Sequence, residues 1–245
     1  MKIAERIHLV GSGKFGMELS EPTDCNVYLL DGGGECALID AGGGIEPEHI
    51  VENIRRAGFV MENVRYCLIT HAHADHAAGA RFFHDRYGIE VIASREAAPW
   101  LESGDVEKTS VEHAKRGGVY PADYRFPACP VARAVSEGDR IVVGDLELTV
   151  IDTPGHSRGH VCYLWEEGGR RSLFSGDTVF AGGKVVVQYI WDCIIPEYAE
   201  TVRKLHALRI ERLFPGHGPF LLSRAHVHIE KAHQCFERLE IPPNL

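Results

Sequence analysis

The chain has no apolar run near the roughly 20 residues needed to cross a bilayer, so no membrane-spanning role is expected. Behind its first residues, MKIAERIHLV, there is no apolar stretch with a small-residue cleavage site, which argues against a secretory signal. Its 7 cysteines (25, 36, 67, 129, 162, 193 and 235) are odd in number and never form CxxC. That spacing excludes a disulfide framework and a thiolate metal site, and reads as reduced thiols in a cytoplasmic protein. Positive charge is in deficit: 26 Lys and Arg against 35 Asp and Glu leave a net charge of −9, with no field to attract nucleic-acid phosphates. Neither a nucleic acid nor a membrane is therefore expected as a partner. There is no internal repeat and no low-complexity tract. What is present is ordinary for a globular chain of 245 residues, 44% hydrophobic and 25% charged. The exception is histidine, with 14 copies.

Apolar runs and turn residues predict the elements. Asn26–Leu30 and Cys36–Asp40 read as strands joined by a glycine turn. A helix over Pro47–Ala57 has Ile50, Val51 and Ile54 on one face. Then come a buried strand (Val64–Thr70), a helix (Asp75–Tyr87) and a short strand (Ile89–Ile92). From about 95 to 136 the pattern weakens into a polar, proline-rich stretch with Trp100, Tyr120, Tyr124 and Phe126, which reads as an insertion or lid rather than core. Strands return at Asp139–Val143, Leu146–Ile151, His160–Trp165, Ser172–Ser175 and Ile210–Phe214. Helices run from Pro196 to about Leu208 and from a Ser223 cap to Leu239. Strands preceding helices in two successive halves indicate an α/β class. Gly11–Gly16 matches GxGxxG, but the residues after it lack a helical stripe and contain Pro22, so it reads as a glycine turn and not a dinucleotide site.

The chemistry concentrates at strand ends. Thr70-His71-Ala72-His73-Ala74-Asp75-His76 sets four donor side chains between a strand and a helix. His71 and His73 alternate, so an extended turn aims both at one point, while Asp75 and His76 open the helix beside a second. Imidazole and carboxylate without thiolate suit zinc, iron, manganese or cobalt. Thr153-Pro154-Gly155-His156, Ser175-Gly176-Asp177 and Pro215-Gly216-His217-Gly218 each follow an apolar strand, the place where α/β folds put their sites.

These four motifs resemble the metallo-β-lactamase superfamily, over most of the chain from Asn26 to Pro219. The resemblance implies a four-layer αββα sandwich, here taken as one domain over 1–245, with the metal site at one edge of its paired sheets. It implies two divalent ions, zinc first with iron or manganese as alternatives. His71, His73 and His156 would hold one, Asp75, His76 and His217 the other, and Asp177 would bridge them. Asp40 matches the family's ligand-orienting aspartate. True β-lactamases of the fold have cysteine or serine near the bridging aspartate's place, so antibiotic hydrolysis is not the expected main activity. Phe180 stands where many related lactonases carry tyrosine. The glyoxalase II group shares all seven ligands, but its basic glutathione-binding residues have no match here. The implied function is hydrolysis of a small ester, lactone or thioester by a metal-bound hydroxide, with Asp75 also shuttling a proton. A mononuclear iron persulfide dioxygenase and a phosphodiesterase are the alternatives on the same fold. The partner is a small acyl substrate, with a homodimer left open.

Phe180, Tyr189 and Trp191 are candidate substrate contacts, and His113, Tyr120 and Tyr124 candidate lid residues. Histidines 8, 49, 84, 160, 206, 226, 228 and 233 lack ligand context and read as surface or satisfied residues. Replacement of His71, Asp75 or Asp177 by alanine is each expected to lower turnover by orders of magnitude with little loss of folded structure. Near-normal turnover of metal-replete Asp177→Ala protein would contradict its bridging role.

Overall fold

The structure, a computed structural model, describes residues 1–245. One sheet is made of β1 (Lys2–Ala4), β2 (Ile7–Gly11), β3 (Val27–Asp31), β4 (Cys36–Ile39), β5 (Val64–Leu68), β6 (Glu90–Ser94) and β7 (Arg133–Val135), side by side in that order. The other contains β8 (Arg140–Val143), β9 (Leu146–Asp152), β10 (Val161–Glu167), β11 (Arg170–Gly176) and β12 (Arg212–Pro215), in the order β12-β11-β10-β9-β8. The helices are α1 (Glu48–Arg56), α2 (Ala74–Ala77), α3 (Ala80–Tyr87), α4 (Ala98–Ser103), α5 (Val111–Arg116), α6 (Ile195–Ala207) and α7 (Ala225–Glu237). Antiparallel neighbours join by short turns, whereas the parallel pairs β4/β5, β5/β6, β6/β7 and β11/β12 need crossovers, which the helices supply.

Side-chain alternation along the strands sorts the apolar residues into three cores. Tyr28 and Leu30 of β3 face the second sheet, where they meet Val150, Tyr163, Phe174 and Phe214. Val27 and Leu29 face the other way, onto Ile50, Ile54 and Phe83 of α1 and α3. Leu173 and Leu213 face outward in the second sheet and pack on Tyr198, Val202 and Ile229 of α6 and α7. Helix, sheet, sheet, helix is therefore the layer order, and central strands buried on both faces account for their nearly continuous apolar runs.

Several expected elements change in detail. The helix expected over 75–87 breaks into α2 and α3 at Gly79, which lies so close to the Ala41 carbonyl that a β-carbon would not fit. Ser223 does not cap the last helix; Arg224 takes that position, at φ 56°, with no side-chain capping bond. The 95–136 stretch is partly core, because it contributes β7 to the first sheet and buries Leu101, Val111, Tyr120, Phe126 and Cys129 against the first core.

Phe174 is fully buried between the sheets, its ring 5.1 Å from Phe214 and 5.7 Å from Tyr28. Phe174→Ala is expected to cost about 3–5 kcal/mol in denaturant unfolding. A loss within experimental error would show that the sheets do not depend on this contact.

Candidate metal centre

Both sheets release their strands at one edge. After β5 the chain stays extended through His73 (φ −63°, ψ 146°) and then enters α2, so His71 and His73 come from the extended part and Asp75 and His76 from the first helical turn. After β9 the Pro154-Gly155 turn presents His156. Gly155, at φ +131°, sits against the backbone of Tyr198 in α6, where any side chain would collide. Asp177 follows β11 and His217 follows β12. A β-carbon at Gly216 would run into Asp177 Oδ1 and the His76 ring. The PGH and PGHG motifs thus need glycine because backbone and donor groups pack at contact distance.

All seven residues singled out in the sequence come together. His73 Nδ1 lies 3.1 Å from His71 Nε2 and 3.1 Å from His156 Nε2. Ligands about 2.0–2.1 Å from a tetrahedral zinc stand roughly 3.3 Å apart, so the spacing approaches the edge length of such a site. Beside this trio, Asp75 Oδ2 is 3.1 Å from His217 Nε2 and 3.5 Å from His76 Nε2. Asp177 lies between the groups, with Oδ1 3.3 Å from His76 Nε2 and Oδ2 3.4 Å from His217 Nε2 and 3.7 Å from His156 Nε2. His76 Nε2 and Asp177 Oδ1 are buried without a hydrogen-bond partner. Orphaned donor atoms that converge in a buried nitrogen and carboxylate set fit divalent cations.

Neighbouring groups fix which ring atom faces inward. His76 Nδ1–H donates to Asp40 Oδ2 at 2.8 Å, leaving Nε2 for the cluster. Thr70 stands 3.1 Å from His71 Nδ1 and donates its hydroxyl to Asp40 at 2.9 Å, so one carboxylate orients a histidine in each trio. Asp40 itself sits at φ +62°, a conformation aspartate tolerates better than most residues. His156 Nδ1–H donates to the Val186 carbonyl at 2.9 Å. His160 is buried and satisfied, and it has a role that its sequence context does not signal. Its Nε2 accepts the Asp177 backbone N–H at 3.1 Å, and its Nδ1 meets Thr153 Oγ1 at 2.8 Å. Cys25, Asp40 and His76 also lie together, but burial pushes the Cys25 thiol up to about 12 and the other two are committed to each other.

The electrostatics divide the two halves. Burial, reinforced by neighbouring imidazoles, drives His71 well below its ordinary value of 6.5. His73 and His156 fall to about 4, chiefly through burial. Burial also opposes charge at His217, yet Asp177 and Asp75 raise it to about 9. Asp75, half-buried, is held at about 2 by His76 and His217.

A pocket of about 470 Å³ opens onto His73, Asp75, His156, Asp177 and His217. It adjoins a basin of about 550 Å³, sharing Ser110, His113, Tyr189 and Ile190 with it. Of the expected contacts, Tyr189 lines both and is 98% exposed, while Trp191 lines only the basin. Phe180 is a correction: it is fully buried beside His217, outside the pocket lining, because its turn folds back through a Phe180 N–H to Lys184 carbonyl bond at 3.0 Å. His113 and Tyr120 line the pocket; Tyr124 stands behind, stacked on Tyr120 at 4.2 Å. Lys14 and Phe15, inside the glycine turn set aside as structural, also reach the pocket wall.

The fold and this donor set define a metal-dependent hydrolase. The family description of the metallo-beta-lactamase superfamily matches residues 20–217, and the chain belongs to that superfamily. Among its relatives, an acyl-coenzyme A thioesterase, MBLAC2 of Gallus gallus, is 28% identical over 85% of this chain and 78% of its own length. A hydroxyacylglutathione hydrolase of Chelativorans sp. is 31% identical over 75% of this chain and 58% of its own. Among solved structures, BJP-1, a subclass B3 metallo-beta-lactamase of Bradyrhizobium japonicum, superposes with a TM-score of 0.69 at 26% identity, covering 88% of this chain and 87% of that one. No helix of this protein is long and apolar enough to cross a membrane.

The opposed shifts give metal-free protein a stability maximum. As pH falls from 6.5 toward 4, the unfolded chain takes up protons that His73 and His156 refuse when folded, so stability falls. The stabilisation from His217 is complete below 6.5 and lost as pH rises toward 9. Thermal melts of chelator-treated protein, followed by circular dichroism, are expected to peak between these limbs. A Tm that climbs steadily on acidification from 6.5 to 4 would contradict neutral buried imidazoles.

Proposed function

We propose that this chain is a dinuclear metal-dependent thioesterase, with His71, His73 and His156 holding one ion, Asp75, His76 and His217 the other, and Asp177 shared. The observation that carries the reading is the convergence of two donor trios on one carboxylate beneath an open pocket. Zinc suits the nitrogen and carboxylate donors. A bound pair of divalent cations lowers the pKa of water toward neutrality and polarises a carbonyl. The protein's own residues arrange the rest. Asp75, whose side chain is 26% exposed at the pocket floor, is placed to accept the proton of an attacking water. From there it can pass the proton onward to the leaving group. Val186, Ile190 and Tyr120 supply apolar wall for an acyl chain.

Thioesters are favoured among acyl substrates because relatives of different length, named for acyl-coenzyme A and for hydroxyacylglutathione, both act on thioesters. The basin beyond the pocket suits the nucleotide portion of coenzyme A. It sets the cations of Lys108 and Arg116 beside the rings of Tyr189 and Trp191, with the Lys108 ammonium 4.0 Å over the Trp191 ring. Glu107 and Glu112 also line it, and Glu112 is tied to Lys115 at 3.2 Å. Phosphate and adenine need such cations and aromatic faces.

Zinc-loaded protein is expected to cleave acyl-coenzyme A thioesters, and to lose that activity on chelation. Trp191→Ala and Arg116→Ala are expected to raise KM for these substrates about tenfold, a loss of about 1.4 kcal/mol, with kcat little changed. They should leave a short thioester lacking the nucleotide unaffected. One iron per chain with oxygen consumption on a persulfide, and no hydrolysis, would overturn the reading.

A further inference from the structure

An orphaned ring nitrogen faces a wholly buried carboxylate behind the pocket. His73 differs from the other histidines of its trio because it turns Nδ1 inward, where His71 and His156 present Nε2. Its Nε2 therefore points away from the cluster, and it is buried without a hydrogen-bond partner. The polar group it faces is Asp192, whose Oδ2 lies 3.8 Å away. Asp192 is fully buried; Oδ2 accepts from Ser157 Oγ at 2.6 Å and from the Arg158 N–H at 3.3 Å, while Oδ1 has no partner.

A buried imidazole N–H without an acceptor is costly, and a carboxylate oxygen can accept more than one hydrogen bond. The Nε2–H of His73 points at Oδ2 of this carboxylate, and 3.8 Å closes to a hydrogen bond with a shift of under about 1 Å. The backbone around Asp192 is anchored as well. The Ile194 N–H donates to the Gly155 carbonyl at 2.8 Å, which clamps this strand to the turn bearing His156. Asp192 also directly follows Trp191 and lies three residues after the exposed Tyr189.

We infer that Asp192 is a positioning residue for His73, holding the proton on Nε2 so that Nδ1 keeps its lone pair for a cation, and that Ser157 holds Asp192 in place. A carboxylate behind a ligating imidazole fixes its tautomer and raises its basicity, and loss of such a partner costs about 10–100-fold in metal affinity. The inference rests on the metal-centre reading above.

The test is zinc affinity by chelator competition, with cobalt absorption spectra of the same proteins, for wild type, Asp192→Ala, Asp192→Asn and Ser157→Ala. Asp192→Ala is expected to weaken one of the two ions about 10–100-fold and to leave the other within about twofold. Asp192→Asn keeps one oxygen to accept from Nε2–H and should recover part of that loss. Ser157→Ala, which touches no ligand, should shift affinity the same way by less. If Asp192→Ala does not fold, the other two variants carry the test, and unchanged affinity in both overturns the inference. Folded Asp192→Ala protein that binds both ions like wild type overturns it alone. Wild-type protein that takes up no metal overturns the metal-centre reading, and this inference falls with it.

Discussion

Five imidazoles and two carboxylates share a volume at the sheet edge that water scarcely reaches, and the protein alone cannot satisfy them. His71 and His76 are fully buried, and His156 and Asp177 nearly so. Three of the histidines are held neutral by burial, while His217 is driven toward the charged form by two carboxylates. A single proton on His73 Nδ1 would have to serve both the His71 and the His156 Nε2 lone pairs, each 3.1 Å away. A cation attracts every one of these atoms simultaneously. The rest of the architecture serves to keep the donors crowded when their mutual interactions would push them apart.

The crowding is enforced from behind. Asp40 takes a left-handed backbone conformation at the end of β4 and holds His76 directly and His71 through Thr70. His160, stacked 4.9 Å from His71, receives the Asp177 backbone N–H. These supports lie on strands or directly at their ends, so the rigidity of two packed sheets passes into the orientation of individual ring nitrogens. The glycines at 155 and 216 then let the turns approach to contact. A site this tight cannot be assembled on loops alone, because loop backbone lacks the packing that fixes rotamers.

Much of this was legible in the sequence because it obeys local rules. Buried strands read as apolar runs, and the donors follow such runs, those at 156, 177 and 217 after a proline or glycine turn, so the edge where they meet could be inferred before the fold was known. Other features depend on tertiary contacts with no local signature. Asp192 and His160 lie in no motif, and only the folded chain places one behind His73 and the other behind Asp177. Phe180 sits next to the site in sequence, but the turn returns its ring to the interior. In the 95–136 stretch, helices of one or two turns are too short to show periodicity, so Leu101, Val111 and Phe126 look like loop residues while packing as core. The glycine turn at 11–16 shows the reverse: reading it as structural was sound for the backbone, yet Lys14 and Phe15 on it reach the pocket.

The segment between Asp177 and α6 runs from the donor cluster to the basin and back. It leaves the shared carboxylate, passes the carbonyl of Val186 that orients His156, exposes Tyr189 and Trp191 to the basin, and re-enters the interior at Asp192 behind His73. Residues that would touch the thiol carrier thus alternate along one strap with residues that hold the metal-facing histidines. On the thioesterase reading, a carrier held by the aromatic side chains would bear on the same backbone that supports His156 and His73. On that reading, substitutions chosen to change the carrier would disturb the donors least by keeping the Val186 carbonyl and the Asp192 anchor where they are, leaving the exposed side chains of 189 and 191 and the cations of the basin to vary.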